Sequence, residues 1–403
     1  MESHIYSRCV SALGIVVMLA LSWVCSENRR RRLPWRIILW GIGLQVGLAI
    51  CIINTGAEHL GVQAAFDVIT RASAEGSSFV FGSLTKPEYG AIIGFHVLPV
   101  VIFVSALSSV LYYLGVIQWL VSGFAFVMRR TLKTSGAETF GVAIQVFTGI
   151  ESLPALRGYL KNMTRSELSA IMTSFMATTA SSVMVAYASF GAKPWHLLAA
   201  SIISAPAAIV VSKIMVPETG TPETQSGGRI VLPKDSHNIV DAAARGASDG
   251  LNLALNIGAV LIAFVGLVYL INQGSLVAVG HTFKEIMGWL FRPIALAMGV
   301  SWQDSAAVGQ LLGAKTVLNE ILAYQDMKGM VEANLISPRS VTIATYALCG
   351  FANPGSLAIL IAGMTSLIPE RRQEIVQLGL KAFVGGALAS FMTACIAGAL
   401  VYE

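Results

Sequence analysis

Charge is scarce in this chain: only 12% of its 403 residues are Asp, Glu, Lys or Arg, about half the share of a soluble domain. So few charges cannot cover a water-soluble globule while 55% of the residues are apolar. Mean hydropathy is +0.70, so disordered, fibrous and nucleic-acid-binding classes fall together. Cysteine is equally sparse. Cys9, Cys25, Cys51, Cys349 and Cys395 show no CxxC spacing and lie in or beside apolar stretches. That excludes a disulfide framework and a zinc ribbon. Of the histidines His4, His59, His96, His196, His237 and His281, none pairs at ligand spacing, and His281 is followed by Thr282-Phe283-Lys284-Glu285 rather than an HExxH motif. A metalloprotease or serine hydrolase built at membrane depth has no candidate residues here, and no metal site beyond an alkali-cation site is expected.

What the chain does contain is long apolar runs. Spanning a bilayer takes about 20 apolar residues as a helix. Candidate spans are 9–26, 36–54, 91–127, 168–190, 196–216, 251–272, 305–325, 341–366 and 376–401. The stretch 91–127 is too long for one crossing and reads as a span plus a surface helix. Basic residues cluster at Arg29, Arg30, Arg31, Arg32 and Arg36, between the first two runs. Short basic loops stay cytoplasmic, which places the N-terminus outside. Four arginines after the first run also argue against a cleaved signal peptide. The fold expected is all-α and polytopic, in the cell membrane, with the lipid bilayer as its surroundings and no nucleic-acid partner.

Two apolar segments are interrupted. One is 138–160, with Thr148-Gly149-Ile150-Glu151-Ser152-Leu153-Pro154; the other is 284–300, with Gly288, Pro293 and Gly299. Each is read as a re-entrant hairpin, whose irregular backbone survives only inside protein or beside a wet cavity. They lie on either side of the polar stretch 217–238, each followed by two spans. Matching broken segments in two halves point to a transporter site near the midplane. Asp241 and Arg245 stand one helical turn apart and read as an i,i+4 pair.

Ionisable groups inside such segments are costly and mark function. Glu151 sits in the first interruption. Glu320 follows Asn319 deep in its apolar run, with Lys315 five residues back and off its face. Cys349-Gly350-Phe351-Ala352-Asn353-Pro354-Gly355-Ser356 must break its helix, because Pro354 removes a backbone donor, and Asn353 and Ser356 supply polar groups there. Two carboxylates, an amide and a hydroxyl suit a neutral, hydroxyl-rich solute. No glycine-rich phosphate loop or basic cluster at depth favours a phosphate.

At these residues the chain resembles the concentrative nucleoside transporters. The first block carrying the likeness runs from Met163-Thr164-Arg165-Ser166-Glu167-Leu168 through Ala186-Tyr187-Ala188-Ser189-Phe190-Gly191 to Pro217-Glu218-Thr219. The second runs from Gly250-Leu251 through Asn256 to Asn272. The third runs from Trp302 through Asn319-Glu320 and Ala347-Leu348-Cys349-Gly350-Phe351-Ala352-Asn353 to Pro369-Glu370-Arg371-Arg372. The resemblance covers roughly residues 140–400. It implies about eight transmembrane helices, two re-entrant hairpins, an inverted-repeat transport domain, a homotrimer and elevator-like, cation-coupled nucleoside import, with no enzyme activity.

Carried onto this chain, the resemblance divides it into N-terminal scaffold helices with an interfacial helix (1–130) and a first hairpin with two spans (131–216). A polar loop and scaffold helix (217–283) and a second hairpin with broken helices (284–403) follow. It assigns Glu320, Asn353, Phe351 and Ser356 to the solute, with Glu320, Asn353 and Ser356 mainly at the ribose, the first hairpin mainly at the base and Val183 packing near the base; Asn319 is counted with the solute-binding residues. The first hairpin departs from the family's Gly-Gln-Thr/Ser-Glu-Ala/Ser-Pro. Aligned from Gly149, the family glutamate falls on Ser152; aligned backward from Met163-Thr164, it falls on Glu151, the register favoured here. The coupling cation is assigned to Gln145, Thr148, Thr178 and Thr179. Sodium is favoured over a proton, although Gln145 stands where sodium-coupled relatives have asparagine. A non-transporting nucleoside sensor or gate on the same helices is the alternative.

Overall fold

The computed structural model describes residues 2–54, 61–86, 93–225 and 236–401. Helix α1 (Glu2–Val24) and α2 (Trp35–Ala49) flank the arginine run. Then come α3 (Val62–Phe81), α4 (Leu98–Tyr113) and α5 (Val116–Leu132), so the overlong apolar stretch does divide into a span and a second helix. The first hairpin is α6 (Gly136–Thr148), a tip of 3-10 turns, and the short α7 (Arg157–Leu160). It is followed by α8 (Arg165–Ala177), α9 (Ser181–Ser189) and α10 (Pro194–Met215). Beyond the polar loop, of which 226–235 falls outside the described residues, α11 (Ile239–Val279) is the longest helix. It begins at an Asn238 cap, with Arg245 and Asp241 paired at 3.0 Å.

The second half differs from the sequence expectation. Residues 284–300 are no hairpin: α12 (Phe283–Ala297) is one continuous helix that carries Pro293 within it. The segment 305–325 is no single span either. It forms α13 (Ser305–Val317), which stops at Leu318, and α14 (Glu320–Glu332), which starts from Asn319. The Asp304 carboxylate, just before α13, accepts from the Ser337 backbone at 3.0 Å and its hydroxyl at 2.7 Å, just after α14. The chain therefore returns to where it started, and α13–α14 is the second hairpin. Gly288 misled because it reads as a breaker, whereas it lets α12 lie against α13. A Cβ on Gly309 would sit 2.5 Å from the Gly288 carbonyl oxygen.

Then come α15 (Pro338–Leu348), α16 (Pro354–Leu367) and α17 (Arg372–Leu400). Seven helices among the described residues are long and apolar enough to cross a bilayer, and the interrupted α15–α16 pair makes the further crossing. The protein is an all-α, multi-pass membrane protein.

The two hairpins open at opposite ends. At the end bearing the arginine run, Ser135 at the start of α6 hydrogen-bonds Glu167 in the first turn of α8, where Thr164 and Glu167 form a capping box. This reciprocal cap satisfies two of the helix's orphan donors. Lys213, buried at the end of α10, pairs with Glu138 at 2.8 Å and Glu218 at 3.3 Å, pinning α6 to α10. Glu27 between α1 and α2 pairs with Arg165 at 2.8 Å. At the opposite end Arg8 donates to the Ala399 carbonyl at 2.8 Å, and Arg339 donates to that of Gly398 at 2.7 Å. The start of α1 and the end of α17 thus share one end, as an even number of crossings requires.

Helices α8 and α10 are the core: every residue of α8 but Arg165 is buried, as is nearly all of α10. The first two helices pack on α17 and α10, α1 along α17 and α2 along α10, while α4 packs along α11.

Candidate functional site

Two helices are broken at the centre, and the breaks touch. Helix α8 ends at Thr178 and resumes as α9, while α15 ends at Cys349 and resumes as α16 from an Asn353 cap. The Thr179 hydroxyl lies 3.4 Å from the Cys349 sulfur. Gly350, at φ 140°, lets the chains cross: a Cβ there would meet the Ala177 carbonyl oxygen at 2.8 Å. Ser390 of α17 sits between both ends, its single hydroxyl proton within reach of the carbonyls of Cys349 at 3.1 Å, Gly386 at 3.1 Å and Ala177 at 3.5 Å.

Glu320, 4% exposed, opens α14 beside this crossing. One carboxylate oxygen accepts from the Tyr187 hydroxyl at 2.8 Å, the other from the Asn353 amide at 2.6 Å. That amide also reaches Ser356 Oγ at 3.0 Å, while Asn353 Oδ1 caps α16 at the Ser356 N–H, 2.8 Å away. Three separated stretches of sequence thereby meet in one hydrogen-bonded group. Asn319 caps α14 through Oδ1, 2.9 Å from the Leu322 N–H, and its buried Nδ2 donates to nothing among the described residues. A buried amide left unpaired is costly unless a ligand takes it. Phe351 packs on Phe175 at 5.5 Å between centroids, and Val183 is buried in α9.

Sequence reasoning missed Tyr187. It stands one helical turn after Val183 and stacks on Tyr324 at 4.5 Å between centroids. A phenol four residues past a proposed pocket residue was the available signal.

At the first hairpin, Gly149 adopts φ 61° and presses on Ala180, so the tip rests on the α8–α9 break. The Ser152 hydroxyl donates to the Gly149 carbonyl at 2.7 Å and closes the tip on itself. Glu151 lies in the same turn, with its side chain outside the described residues. Counted from the first residue of each hairpin helix, Gly136 and Ser305, Glu151 and Glu320 occupy the same position.

The residues expected around the cation are neighbours. Ser201 Oγ reaches the carbonyls of Val146 at 3.4 Å and Thr179 at 3.3 Å, joining the last turn of α6 to the α8 break. Thr148 and Thr178 each donate back to their own helix, at 3.0 and 2.8 Å. Gln145 is fully buried, and neither its amide oxygen nor its nitrogen has a partner among the described residues. That vacant oxygen beside helix-end carbonyls fits a hard cation that takes oxygen ligands. No cluster of three or more His, Cys, Asp or Glu capable of holding a metal occurs among the described residues.

A cavity of about 270 Å³ adjoins the first hairpin, with Thr148, Ser152 and Ser181 on one wall and Ser105, Ser108 and Asp249 on the other. It lies between the α6–α9 side and α4 with α11, which meet at its edge where the Ser108 and Ser181 hydroxyls stand 3.3 Å apart. Glu320 and Asn353 are not among its walls; their side chains hydrogen-bond one another.

Residues 13–84 match the family described as "Na+ dependent nucleoside transporter N-terminus", and 196–398 match the corresponding C-terminus. Residues 95–194 match "Nucleoside recognition". The chain is 38% identical to sodium/nucleoside cotransporter 1 of Rattus norvegicus across 98% of its own length, but it spans only 64% of that relative. An uncharacterized transporter of Haemophilus influenzae is 39% identical, with 97% of each chain covered. Among solved structures, CNTnw in an inward-facing substrate-bound state superposes with TM-score 0.91 at 35% identity, covering 97% of this chain and 98% of that one. A CNTnw variant in an outward-facing state gives TM-score 0.91 at 33% identity. With identity of this order over essentially the whole chain, the protein belongs to the Na+-dependent nucleoside transporter family.

Proposed function

We propose that the protein is a symporter that imports nucleosides across the cell membrane, driven by sodium. The observation that carries this reading is the Glu320 carboxylate, held by Tyr187 and Asn353 where two broken helices cross. An ionised carboxylate has about four lone-pair sites, so two remain for the vicinal hydroxyls of a ribose. Ser356 and the unpaired Asn319 amide offer further contacts, and Phe351 an apolar face. The base then lies toward Val183 and the first hairpin, where Glu151 is the acid and Ser152 shapes the tip.

Gln145, Thr148, Thr178 and Thr179 hold the sodium ion at the end of α8. Sodium is preferred to a proton because the vacant Gln145 amide and helix-end carbonyls form an oxygen cage, and because the family is described as Na+ dependent. The sensor reading is disfavoured, since both hairpins and both breaks are complete.

Related structures in inward- and outward-facing states support alternating access. Packing supports an elevator whose moving body includes α1 and α2 with the two repeats, sliding against α3, α4 and α11. The homotrimer rests on the family resemblance. Positive-inside reasoning puts the arginine run in the cytoplasm, so the first hairpin opens inward and both termini face out.

Counterflow of labelled uridine in proteoliposomes, with and without a sodium gradient, tests this reading. Sodium-stimulated accumulation is expected. Accumulation that follows a proton gradient alone overturns the cation assignment, and none under either gradient overturns transport.

A further inference from the structure

Helices α8 and α15 both end inside the molecule. Each leaves last-turn carbonyls without intrahelical partners, at the negative end of its dipole. Ends of this kind are where transporters coordinate cations. The two ends are satisfied differently here.

At α15 the Ala347 carbonyl accepts from the Lys315 ammonium at 2.6 Å, while the Thr345 carbonyl accepts from the Cys349 N–H at 3.1 Å and also from the Tyr324 hydroxyl at 2.9 Å. Lys315 is fully buried on α13, forms no ion pair among the described residues, and has the Phe391 ring centroid 5.8 Å away. A buried ammonium whose acidic neighbour, Glu320, stands beyond ion-pair distance is costly unless its surroundings call for positive charge. A helix C-terminus with free carbonyls does.

At α8 the corresponding carbonyls meet no ammonium among the described residues: Ser174 accepts from the Thr178 N–H at 2.9 Å and its hydroxyl at 2.8 Å, while the Ser390 hydroxyl stands 3.5 Å from the Ala177 carbonyl and that of Ser201 3.3 Å from the Thr179 carbonyl. No basic side chain donates there among the described residues. The facing hairpin helix instead presents Gln145, fully buried with both amide atoms unpartnered. Counted from the first residue of each hairpin helix, Gln145 and Lys315 fall one position apart.

We propose that Lys315 is a tethered cation, holding at the second repeat the place that a mobile sodium ion takes at the first. This rests on the sodium-coupled reading above. One half of the inverted repeat carries its charge permanently, and the other borrows it from solution. The consequence is one sodium ion per nucleoside, because Lys315 fills what is otherwise a second carbonyl cage.

The test reconstitutes the full chain and measures charge moved per uridine, together with the sodium dependence of uridine binding. The wild type should move about one charge per uridine, with a Hill coefficient for sodium of about one. Lys315→Gln empties the second cage. It should raise the Hill coefficient toward two and shift the sodium midpoint upward about tenfold or more, whereas Lys315→Arg keeps a coefficient of about one. Two charges per uridine in the wild type overturns the proposal, and so does a folded Lys315→Gln protein with wild-type sodium dependence. If the wild type shows no sodium-stimulated uptake, the transport reading has failed, and thermal unfolding still decides Lys315. A Lys315→Gln protein that is destabilised and rescued by sodium supports the tethered cation; one indifferent to sodium overturns it.

Discussion

Replacing Glu320 by glutamine keeps the shape of the side chain and changes one oxygen into an NH2 group. The two carboxylate oxygens accept from Tyr187 at 2.8 Å and Asn353 at 2.6 Å. If the new NH2 faces Asn353, two donors oppose each other. If it faces Tyr187, the phenol can turn and accept, but that side then offers no lone pair to a ribose hydroxyl. Either orientation loses at least one charge-assisted hydrogen bond, about 1.5–3 kcal/mol. At about 1.4 kcal/mol per decade, uridine affinity should fall about 10- to 150-fold. The assay is uridine binding and uptake at matched membrane expression, with thermal unfolding as the control for folding. Tyr187→Phe should be milder, because the freed lone pair stays available to the solute. A Glu320→Gln protein with wild-type expression and uridine affinity within about twofold of wild type refutes the argument, since the assigned hydrogen bonds would then contribute less than about 0.5 kcal/mol.

Glu151→Gln should damage uptake far more than Ser152→Ala, because the Ser152 hydroxyl is already spent on the Gly149 carbonyl; the reverse ranking at matched expression moves the first-hairpin acid position to residue 152. Gly350→Ala places a Cβ 2.7 Å from Ser390 Oγ and 2.8 Å from the Ala177 carbonyl oxygen at φ 140°, so the crossing must shift. The expected loss is about 1–3 kcal/mol, read as a lower unfolding temperature in detergent together with reduced uptake. The Arg165 hydrogen bond, opposed by partial burial and helped by the charges of Arg165 and Lys381, holds the Glu27 carboxyl below its ordinary 4.5. A depressed value in the fold means that this stabilisation is complete above about pH 4.5 and is lost as pH falls through the folded value. The difference in unfolding temperature between wild type and Glu27→Gln should therefore be constant from pH 6 to 8, worth under about 1 kcal/mol for a partly exposed pair, and should vanish in acid; a difference that persists there contradicts the assignment.

The spans were legible because crossing a bilayer imposes a length and a composition that a chain cannot disguise. The first hairpin and the α15–α16 break were legible because Gly149 and Pro354 mark them: Gly149 takes φ 61° at the end of α6, and Pro354 stands at the first position of α16. The second hairpin was not. Its turn at Leu318–Asn319 contains neither glycine nor proline, whereas Gly288 and Pro293, which look like breakers, lie inside the continuous α12. Gly288 is needed for close approach to α13, a tertiary requirement that sequence periodicity does not encode. The placement of α1 against α17 was hidden for the same reason, since two apolar faces carry no mark of which partner they meet. Tyr187 reads as one more aromatic residue until Glu320 folds against it. The legible signal at the second break was the asparagine. Asn319 and Asn353 each stand at the start of a half-helix, and each accepts at Oδ1 from the backbone N–H three residues on, at 2.9 and 2.8 Å. Burying a helix start at membrane depth leaves N–H groups that water cannot reach, so a cap must come from the chain. An asparagine deep in an apolar run therefore locates a helix start more reliably here than glycine does. The caps that end the hairpin and reopen the broken helix also point Glu320, Asn353 and Ser356 at one another, so the break and the binding group arise from the same residues.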